Sequence, residues 1–157
     1  MAKHILFLAF GSNLGDREKN ICDAYDEIEG RIGKIVSKSA FYMTQPDGFH
    51  SENLFFNSVC QVETEMEVRE IFKVLKTIEM RLGRFSKSRG GVYADRLIDI
   101  DILMYDNLVI DTPDLTIPHP RFHLRDFVLE PFAEIAPETI HPILQKTVGE
   151  LRNERGA

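Results

Sequence analysis

The chain has no tryptophan, only two cysteines and no long hydrophobic run. No apolar segment approaches the roughly 18 residues needed to span a bilayer, so a membrane protein is not expected. Two cysteines, Cys22 and Cys60, cannot form the network of disulfide bonds that stabilises small secreted domains. The apolar segment 4–10 is short and runs directly into Gly11, which favours a strand over a signal peptide. These absences together predict a cytoplasmic protein.

An excess of positive charge is lacking as well. Lysine and arginine number 19 against 25 aspartates and glutamates, for a net charge of −6. A general nucleic-acid binder is normally basic, so no nucleic-acid partner is expected. The 157 residues, 43% hydrophobic and 28% charged, suit one soluble domain over residues 1–157. We expect this domain to be a monomer.

Hydrophobic periodicity predicts alternating strands and helices along the first two thirds of the chain. The strands fall at about 5–10, 34–42, 55–63 and 96–105, and the helices at about 16–32 and 68–82. This β-α-β-β-α-β order is typical of a ferredoxin-like α+β fold, an antiparallel sheet with two helices on one face.

The last third of the chain contains six of the seven prolines. Asp106-Asn107 predicts a tight turn, with a short strand returning over 108–110. The prolines then permit only short helices and loops, so we expect a proline-rich segment that wraps onto the sheet. A helix at about 144–152 would close the chain.

The predicted strand 96–105 carries two aspartates among isoleucines. Because alternate side chains share a face, Asp99 and Asp101 point away from Ile98, Ile100 and Ile102. Strands disfavour aspartate, and two carboxylates this close repel each other unless a cation lies between them. Hard oxygen ligands together with substrate phosphates suit Mg²⁺. The alternative is a solvated sheet face.

The segment just before this strand is strongly basic. Asp95 is its one acid, against five basic residues: Arg81, Arg84, Lys87, Arg89 and Arg96. Arginine binds phosphate through two hydrogen bonds at once, and Gly90-Gly91 permits the segment to close over a ligand. Beside the aspartate pair, this charge favours phosphoryl or nucleotidyl transfer over a merely solvated loop.

The familiar nucleotide motifs are absent. There is no P-loop and no protein-kinase catalytic loop, and the glycines at 11–15 lack the full dinucleotide fingerprint. His119 and His123 are four residues apart, a spacing that would suit a metal site if both were on one helix. Prolines flank His119 and disfavour such a helix, so a zinc site is not expected. Phe55, Phe122 and Phe127 are either core residues or a stacking surface for a flat ring.

Six sequence blocks, in order, resemble the 6-hydroxymethyl-7,8-dihydropterin pyrophosphokinase family of folate biosynthesis. They are Phe10-Gly11-Ser12-Asn13-Leu14-Gly15, Phe41-Tyr42-x-Thr44, Phe56-Asn57-Ser58-Val59, Ile78-Glu79 with Gly83-Arg84, Arg96-x-x-Asp99-Ile100-Asp101-Ile102-Leu103, and Leu115-Thr116-Ile117-Pro118-His119-Pro120 with Arg125 and Phe127-Val128-Leu129-x-Pro131. The fifth and sixth blocks together are highly specific.

The resemblance implies transfer of pyrophosphate from ATP to the hydroxymethyl group of the reduced pterin, releasing AMP. It implies that two Mg²⁺ ions are held by Asp99 and Asp101, while Arg84 and Arg96 neutralise the transferred group. It implies ATP contacts for Glu79, Lys87, Ile102, Leu115, Thr116, His119 and Arg125. The pterin would lie between Phe55 and Phe127, and its edge would be read by Asn57 and the segment Thr44, Gln45, Pro46, Asp47 and Gly48.

This sequence departs from the family pattern at Ser86, where a second loop arginine is common, so Lys87 or Arg89 is expected to replace it. Two other readings of the residues are open. One is a non-catalytic binder of anions or nucleic acid on the sheet, and the other is a metal-dependent nucleotidyltransferase or nuclease with the same aspartates.

Overall fold

The computed structural model describes residues 3–45, 54–83 and 97–156, with Gly156 described by its backbone alone. Several residues with predicted roles lie outside these ranges: Pro46, Asp47, Gly48, Arg84, Lys87, Arg89 and Arg96. Within the described ranges the strands are β1 His4–Ser12, β2 Gly33–Lys38, β3 Tyr42–Thr44, β4 Phe55–Thr64, β5 Asp99–Tyr105, β6 Ile110–Asp111 and β7 Thr116–Ile117. The helices are α1 Arg17–Arg31, α2 Val68–Arg81, α3 Asp126–Ile135 and α4 Val148–Gly156, with a 3₁₀ turn at Phe122–Leu124.

The main sheet is antiparallel and packs against helices, so the architecture combines α and β elements. Its strand order is β2-β4-β1-β5, and the short strand β3 also pairs with β4. Every pairing among these strands is antiparallel. The central strands β1 and β4 are long and carry buried side chains on both faces, as expected for strands covered on both sides.

Each face of the sheet has its own hydrophobic core. Leu6, Leu8 and Phe10 of β1 pack with Ile21 and the other buried residues of α1 and α2. The opposite face, which includes Phe7, packs against α3 and α4. The C-terminal third therefore covers the face that the first two helices leave open.

The predicted strand 34–42 is wrong as a single element, because the chain breaks it at Ser39. The Ser39 N–H donates to the Val59 carbonyl, and the Ser39 hydroxyl accepts from the Val59 N–H at 3.0 Å. A side-chain oxygen thus replaces a backbone carbonyl in the ladder. The Ala40 N–H donates instead to the Glu134 carboxylate on α3. For this reason β2 ends at Lys38, and β3 begins as a separate strand at Tyr42.

Two C-terminal boundaries also differ from the sequence expectation. The predicted strand over 108–110 is shifted to β6, which pairs with β7. The closing helix begins at Val148 rather than 144, because Thr147 and Glu150 form a reciprocal cap. The Thr147 hydroxyl accepts from the Glu150 N–H at 3.1 Å, and the Glu150 carboxylate accepts from the Thr147 N–H at 3.0 Å.

None of the helices in the part of the chain that is described is long and apolar enough to cross a membrane.

Candidate active site

Asp99 and Asp101 lie on the sheet face opposite α1 and α2. Ile100 and Ile102, which alternate with them, are buried in the core beneath these helices. Asp99 pairs across the sheet with Gly11, and Asp101 pairs with Ala9. Side chains two apart on a strand are separated by about 6.6 Å at their Cα atoms, so both carboxylates project into the same volume.

A β-bulge follows the two aspartates directly. Phe7 pairs with Met104 and Leu8 with Ile102, which leaves Leu103 without a partner on β1. The carbonyl of Leu103 accepts a hydrogen bond from the His119 N–H at 2.9 Å. The bulge therefore attaches the loop that carries His119 to the strand that carries the aspartates.

The surroundings of Asp101 disfavour a negative charge. Burial is the main cause, followed by the charges of Asp99 and Glu79, and together they raise the pKa of Asp101 to about 7. Lys76 and Arg125 oppose this rise in pKa. A carboxylate held against other carboxylates is stabilised when a cation binds, so the donor set fits a hard divalent ion.

Glu79 supports the aspartate strand from the helix side. Its side chain is 1% exposed, and its Oε2 accepts from the Ile100 N–H at 2.8 Å. Ile100 stands between the two aspartates, so this bond ties α2 to β5 at the position of the carboxylate pair. Lys76 lies 3.5 Å from the other Glu79 oxygen.

A cavity of about 220 Å³ opens between α2, β5 and the loop that leads to His119. Four residues with expected ATP contacts line it, namely Ile102, Leu115, Thr116 and His119, and so does Asp101. The remaining lining residues were not anticipated from the sequence: Phe72, Leu75, Lys76, Ile100, Pro113, Asp114 and Pro120. The helical spacing of Phe72, Leu75 and Lys76 was the signal that could have found three of them.

The far wall of the cavity is fastened to α2 by polar contacts. Arg69 on α2 donates to both oxygens of Asp114 at 3.3 and 3.4 Å, and to the Thr112 hydroxyl at 3.2 Å. The Thr112 hydroxyl donates to the Leu115 carbonyl at 2.9 Å. These bonds hold Leu115 and Thr116 facing the helix.

His119 is a neutral imidazole at pH 7. Burial, reinforced by the charge of Arg125, lowers the pKa of His119 to about 4. Its Nδ1 accepts from the Arg121 N–H at 3.1 Å, which places the remaining proton on Nε2. His119 thus offers a neutral N–H donor at the edge of the cavity.

On the other side of the aspartates lies a shelf formed by Asn57, Gly11 and Phe55. Asn57 pairs with Gly11, which in turn pairs with Asp99, so the three share one row across the sheet. Gly11 has no side chain, and a Cβ there would lie 3.5 Å from both the Asn57 amide oxygen and the Phe55 ring. The Asn57 amide nitrogen donates to the Tyr42 carbonyl at 3.2 Å and to the Thr44 hydroxyl at 2.7 Å, which fixes its orientation.

The other aromatic candidates occupy different environments. Phe127 is half-buried near the start of α3, with the Arg125 guanidinium 5.6 Å from its ring centre. Phe122 is fully buried and packs against Phe132 with the ring centres 5.5 Å apart, so it belongs to the core. Gln45, just after β3, is exposed.

The described residues contain no group of three or more His, Cys, Asp or Glu side chains placed to hold a metal ion. Mg²⁺ bound by one or two carboxylates commonly completes its coordination with phosphate oxygens and water.

Comparison with known proteins agrees with this geometry. Residues 7–137 match the family model described as 7,8-dihydro-6-hydroxymethylpterin-pyrophosphokinase. The chain is 42% identical over 139 residues to a 2-amino-4-hydroxy-6-hydroxymethyldihydropteridine pyrophosphokinase of Porphyromonas gingivalis, covering 88% of this chain and 94% of that protein. It is 35% identical over 136 residues to the Bacillus subtilis protein of the same name, covering 86% and 80%.

Longer proteins also match. The chain is 41% identical over 149 residues to a folic acid synthesis protein of Dictyostelium discoideum, covering 95% of this chain and 22% of that protein. The fold resembles that of a solved Plasmodium falciparum HPPK-DHPS with a TM-score of 0.80 at 17% identity, where this chain spans 45% of the length of that chain. The sequence matches establish the relationship: the chain belongs to the 7,8-dihydro-6-hydroxymethylpterin-pyrophosphokinase family and is a pyrophosphokinase of folate biosynthesis.

Proposed function

We propose that this protein transfers the pyrophosphoryl group of ATP to the hydroxymethyl oxygen of 6-hydroxymethyl-7,8-dihydropterin and releases AMP at the Asp99–Asp101 pair. One observation carries the proposal. The carboxylate pair stands between the two parts of the site, because Asp101 lines the cavity while Asp99 shares a row of the sheet with Gly11 and Asn57.

The cavity suits the nucleoside half of ATP. Leu75, Ile102 and Leu115 supply apolar walls for a base, and the Nε2–H of His119 supplies a neutral donor. Arg125, whose charge acts on both Asp101 and His119, is suited to the phosphates. Glu79 acts through Ile100 in this proposal, as a positioning residue rather than a direct ATP contact.

Asp99 and Asp101 would hold two Mg²⁺ ions. When bound, Mg²⁺ supplies neutralisation of the phosphate charge in the transition state. Arg84 and Arg96 would neutralise the transferred group further, as the family motif implies, and Lys87 would take the place of the loop arginine that is absent at Ser86. Since pyrophosphoryl transfer needs mainly positioning and charge neutralisation, these groups are sufficient without a dedicated protein base.

The shelf suits the pterin. The rings of Phe55 and Phe127 offer aromatic faces to a flat heterocycle, and the fixed Asn57 amide offers a hydrogen-bonding edge. Thr44 and Gln45, followed by Pro46, Asp47 and Gly48, would complete the recognition of that edge. The pterin hydroxymethyl group would then point across Gly11 toward Asp99, since Gly11 places no side chain between them.

We also propose the finer architecture. The strand order β2-β4-β1-β5 with crossovers through α1 and α2 supports a ferredoxin-like arrangement in one domain over residues 1–157. The packing of α3 and α4 on the second face supports a wrapping C-terminal segment. We propose that the protein acts as a cytoplasmic monomer. Analytical ultracentrifugation should then give a molecular mass of 18.0 kDa, that of a single chain.

The activity is tested by incubating the purified protein with ATP, Mg²⁺ and 6-hydroxymethyl-7,8-dihydropterin and measuring AMP. AMP should form only when the pterin and Mg²⁺ are both present. Release of AMP from ATP without the pterin would instead support the nucleotidyltransferase or nuclease alternative. Binding of ATP with no AMP in any mixture would support the non-catalytic binder.

The site is tested with Asp101→Ala, which should abolish AMP formation while circular dichroism shows an intact fold. Asp111→Ala is the matched control, because Asp111 is an exposed strand aspartate outside the cavity. Near-normal turnover in Asp101→Ala would refute the assignment of the carboxylate pair.

A further inference from the structure

Lys76 of α2 forms part of the cavity wall. It follows Phe72 by one helical turn, and its ammonium lies 5.2 Å from the centre of the Phe72 ring. It also lies 3.5 Å from the carboxylate of the buried Glu79, one turn further along α2. A half-exposed lysine held between a ring and a carboxylate has a restricted position, so its ammonium is presented to the cavity in a defined place.

Lys76 differs in charge from the other residues that line the cavity. The lining residues include the carboxylates of Asp101 and Asp114, and the imidazole of His119 is neutral at pH 7. Asp114 is already bound by Arg69. Among the lining residues that the structure describes, Lys76 is the only one that carries a positive charge at pH 7.

The position of Lys76 along α2 indicates which part of a nucleotide it meets. Phe72 lies one turn toward the Arg69–Asp114 end of the cavity. Glu79 lies near the other end, at the level of the aspartate pair, because it binds the Ile100 N–H. If the phosphates reach the aspartates and the base fills the apolar end, the sugar lies beside Lys76.

The pairing with Glu79 also favours a neutral ligand group. An ammonium whose charge is compensated by a carboxylate retains N–H donors but has less attraction for a phosphate. We propose that Lys76 donates a hydrogen bond to a sugar hydroxyl of the bound nucleotide and so selects nucleotides that carry this hydroxyl over the corresponding deoxynucleotide. This inference rests on the proposed binding of ATP in the cavity.

The test is equilibrium binding by calorimetry, with Mg²⁺ and without pterin, so that no transfer occurs. ATP, 2′-deoxy-ATP and 3′-deoxy-ATP are compared on the wild type and on Lys76→Met, which keeps the stem over Phe72 but removes the donor. The wild type should bind one of the two deoxy nucleotides about tenfold more weakly than ATP, the size of one charge-assisted hydrogen bond. In Lys76→Met the affinity for ATP should fall about tenfold, to that of the deoxy nucleotide.

Lys73→Met is the matched control, because Lys73 is an exposed lysine of the same helix that does not line the cavity. It should bind all three nucleotides as the wild type does. Unchanged discrimination in Lys76→Met, equal loss of all three nucleotides, or a wild type that does not discriminate would each overturn the inference.

The AMP assay separates this outcome from failure of the proposed function. A wild type that makes AMP while Lys76→Met binds normally refutes the role of Lys76 alone. A wild type that binds no nucleotide refutes both.

Discussion

Asp101 is held in surroundings that do not favour its negative charge. It is half-buried, and its neighbours Asp99 and Glu79 repel its negative charge. The raised pKa means that the ionised carboxylate costs stability in the absence of a cation. Such a conflict is expected where a site is built to receive a metal ion and a polyanion.

The substitution Asp101→Asn should therefore raise stability while abolishing activity. At pH 8 without Mg²⁺, the variant should have a higher urea midpoint than the wild type, because an amide carries no charge to be repelled. Mg²⁺ with ATP should raise the midpoint of the wild type and not that of the variant. An Asp101→Asn protein less stable than the wild type under these conditions would contradict this account of the site.

His119 should make the free energy of unfolding depend on pH. Its pKa is lowered to about 4 in the folded protein, against about 6.5 in an unfolded chain. Between these values the unfolded chain binds a proton that the folded protein does not. The contribution of His119 to the free energy of unfolding should therefore fall as the pH falls from about 6.5 to about 4, and then level off.

The measurement is urea unfolding of the wild type and of His119→Gln across pH 4 to 8. The wild type should lose stability relative to the variant as the pH is lowered. In the wild type, the imidazole resonances followed by NMR should show His119 neutral at pH 5.5. A protonated His119 at that pH would refute the low pKa.

At the scale of elements, close backbone approach decides how α1 connects to the sheet. Gly33 starts β2 next to β4, and a Cβ at this position would overlap the Glu63 carbonyl oxygen. The backbone on both sides belongs to paired strands, so neither can move without breaking ladder bonds. A Cβ at Gly30, near the end of α1, would have no atom of the described residues within 4 Å apart from the local helix backbone.

Gly33→Ala and Gly30→Ala should therefore change stability in opposite directions. Gly33→Ala should lower the free energy of unfolding by about 1–3 kcal/mol, the usual cost of overpacking. Gly30→Ala should raise it by about 0.5–1 kcal/mol, because alanine favours a helix over glycine. Chemical denaturation of the two variants measures both changes, and a Gly33→Ala protein as stable as the wild type would contradict this account of Gly33.

The link between α3 and β3 joins the C-terminal part of the chain to the strand beside the shelf formed by Asn57, Gly11 and Phe55. Glu134 on α3 accepts from the Ala40 N–H and from the Tyr42 hydroxyl, the latter at 2.7 Å. Tyr42 begins β3, whose Thr44 holds the Asn57 amide. The C-terminal helices therefore support the shelf as well as the second core.

At the scale of the whole molecule, one sheet separates two cores that must fold together. Phe132 on α3 is fully buried and packs against Phe7 of β1, with ring centres 4.7 Å apart. The same strand sends Leu6 and Leu8 to the other core. Loss of packing on one face should therefore destabilise the chain as a unit.

Phe132→Ala should lower the free energy of unfolding by about 3–5 kcal/mol, the usual cost of a large cavity. Far-ultraviolet circular dichroism and the near-ultraviolet signal of the tyrosines should report one coincident transition in the variant. Val109→Ala is the control, because Val109 is 53% exposed and should change stability by less than about 0.5 kcal/mol. Two separate transitions would show that the cores fold independently.

The sequence by itself determined the family and most of the regular elements. Periodicity located α1, α2 and the long strands, since these depend on the local alternation of apolar and polar side chains. The aspartate pair and its orientation also followed from local alternation, because Asp99 and Asp101 precede the bulge and keep the strand phase. The Thr147–Glu150 cap also has a local sequence signature, a threonine followed three residues later by a glutamate.

Tertiary structure alone decided how these elements meet. The break at Ser39 and the bulge at Leu103 depend on partners far along the chain, Val59 and His119, which no local pattern reveals. The role of Glu79 beneath Ile100 and the place of Lys76 in the cavity wall depend on the packing of α2 against β5. Local periodicity records which face of an element is buried, whereas the site is made by contacts between elements, and those are set only when the chain folds.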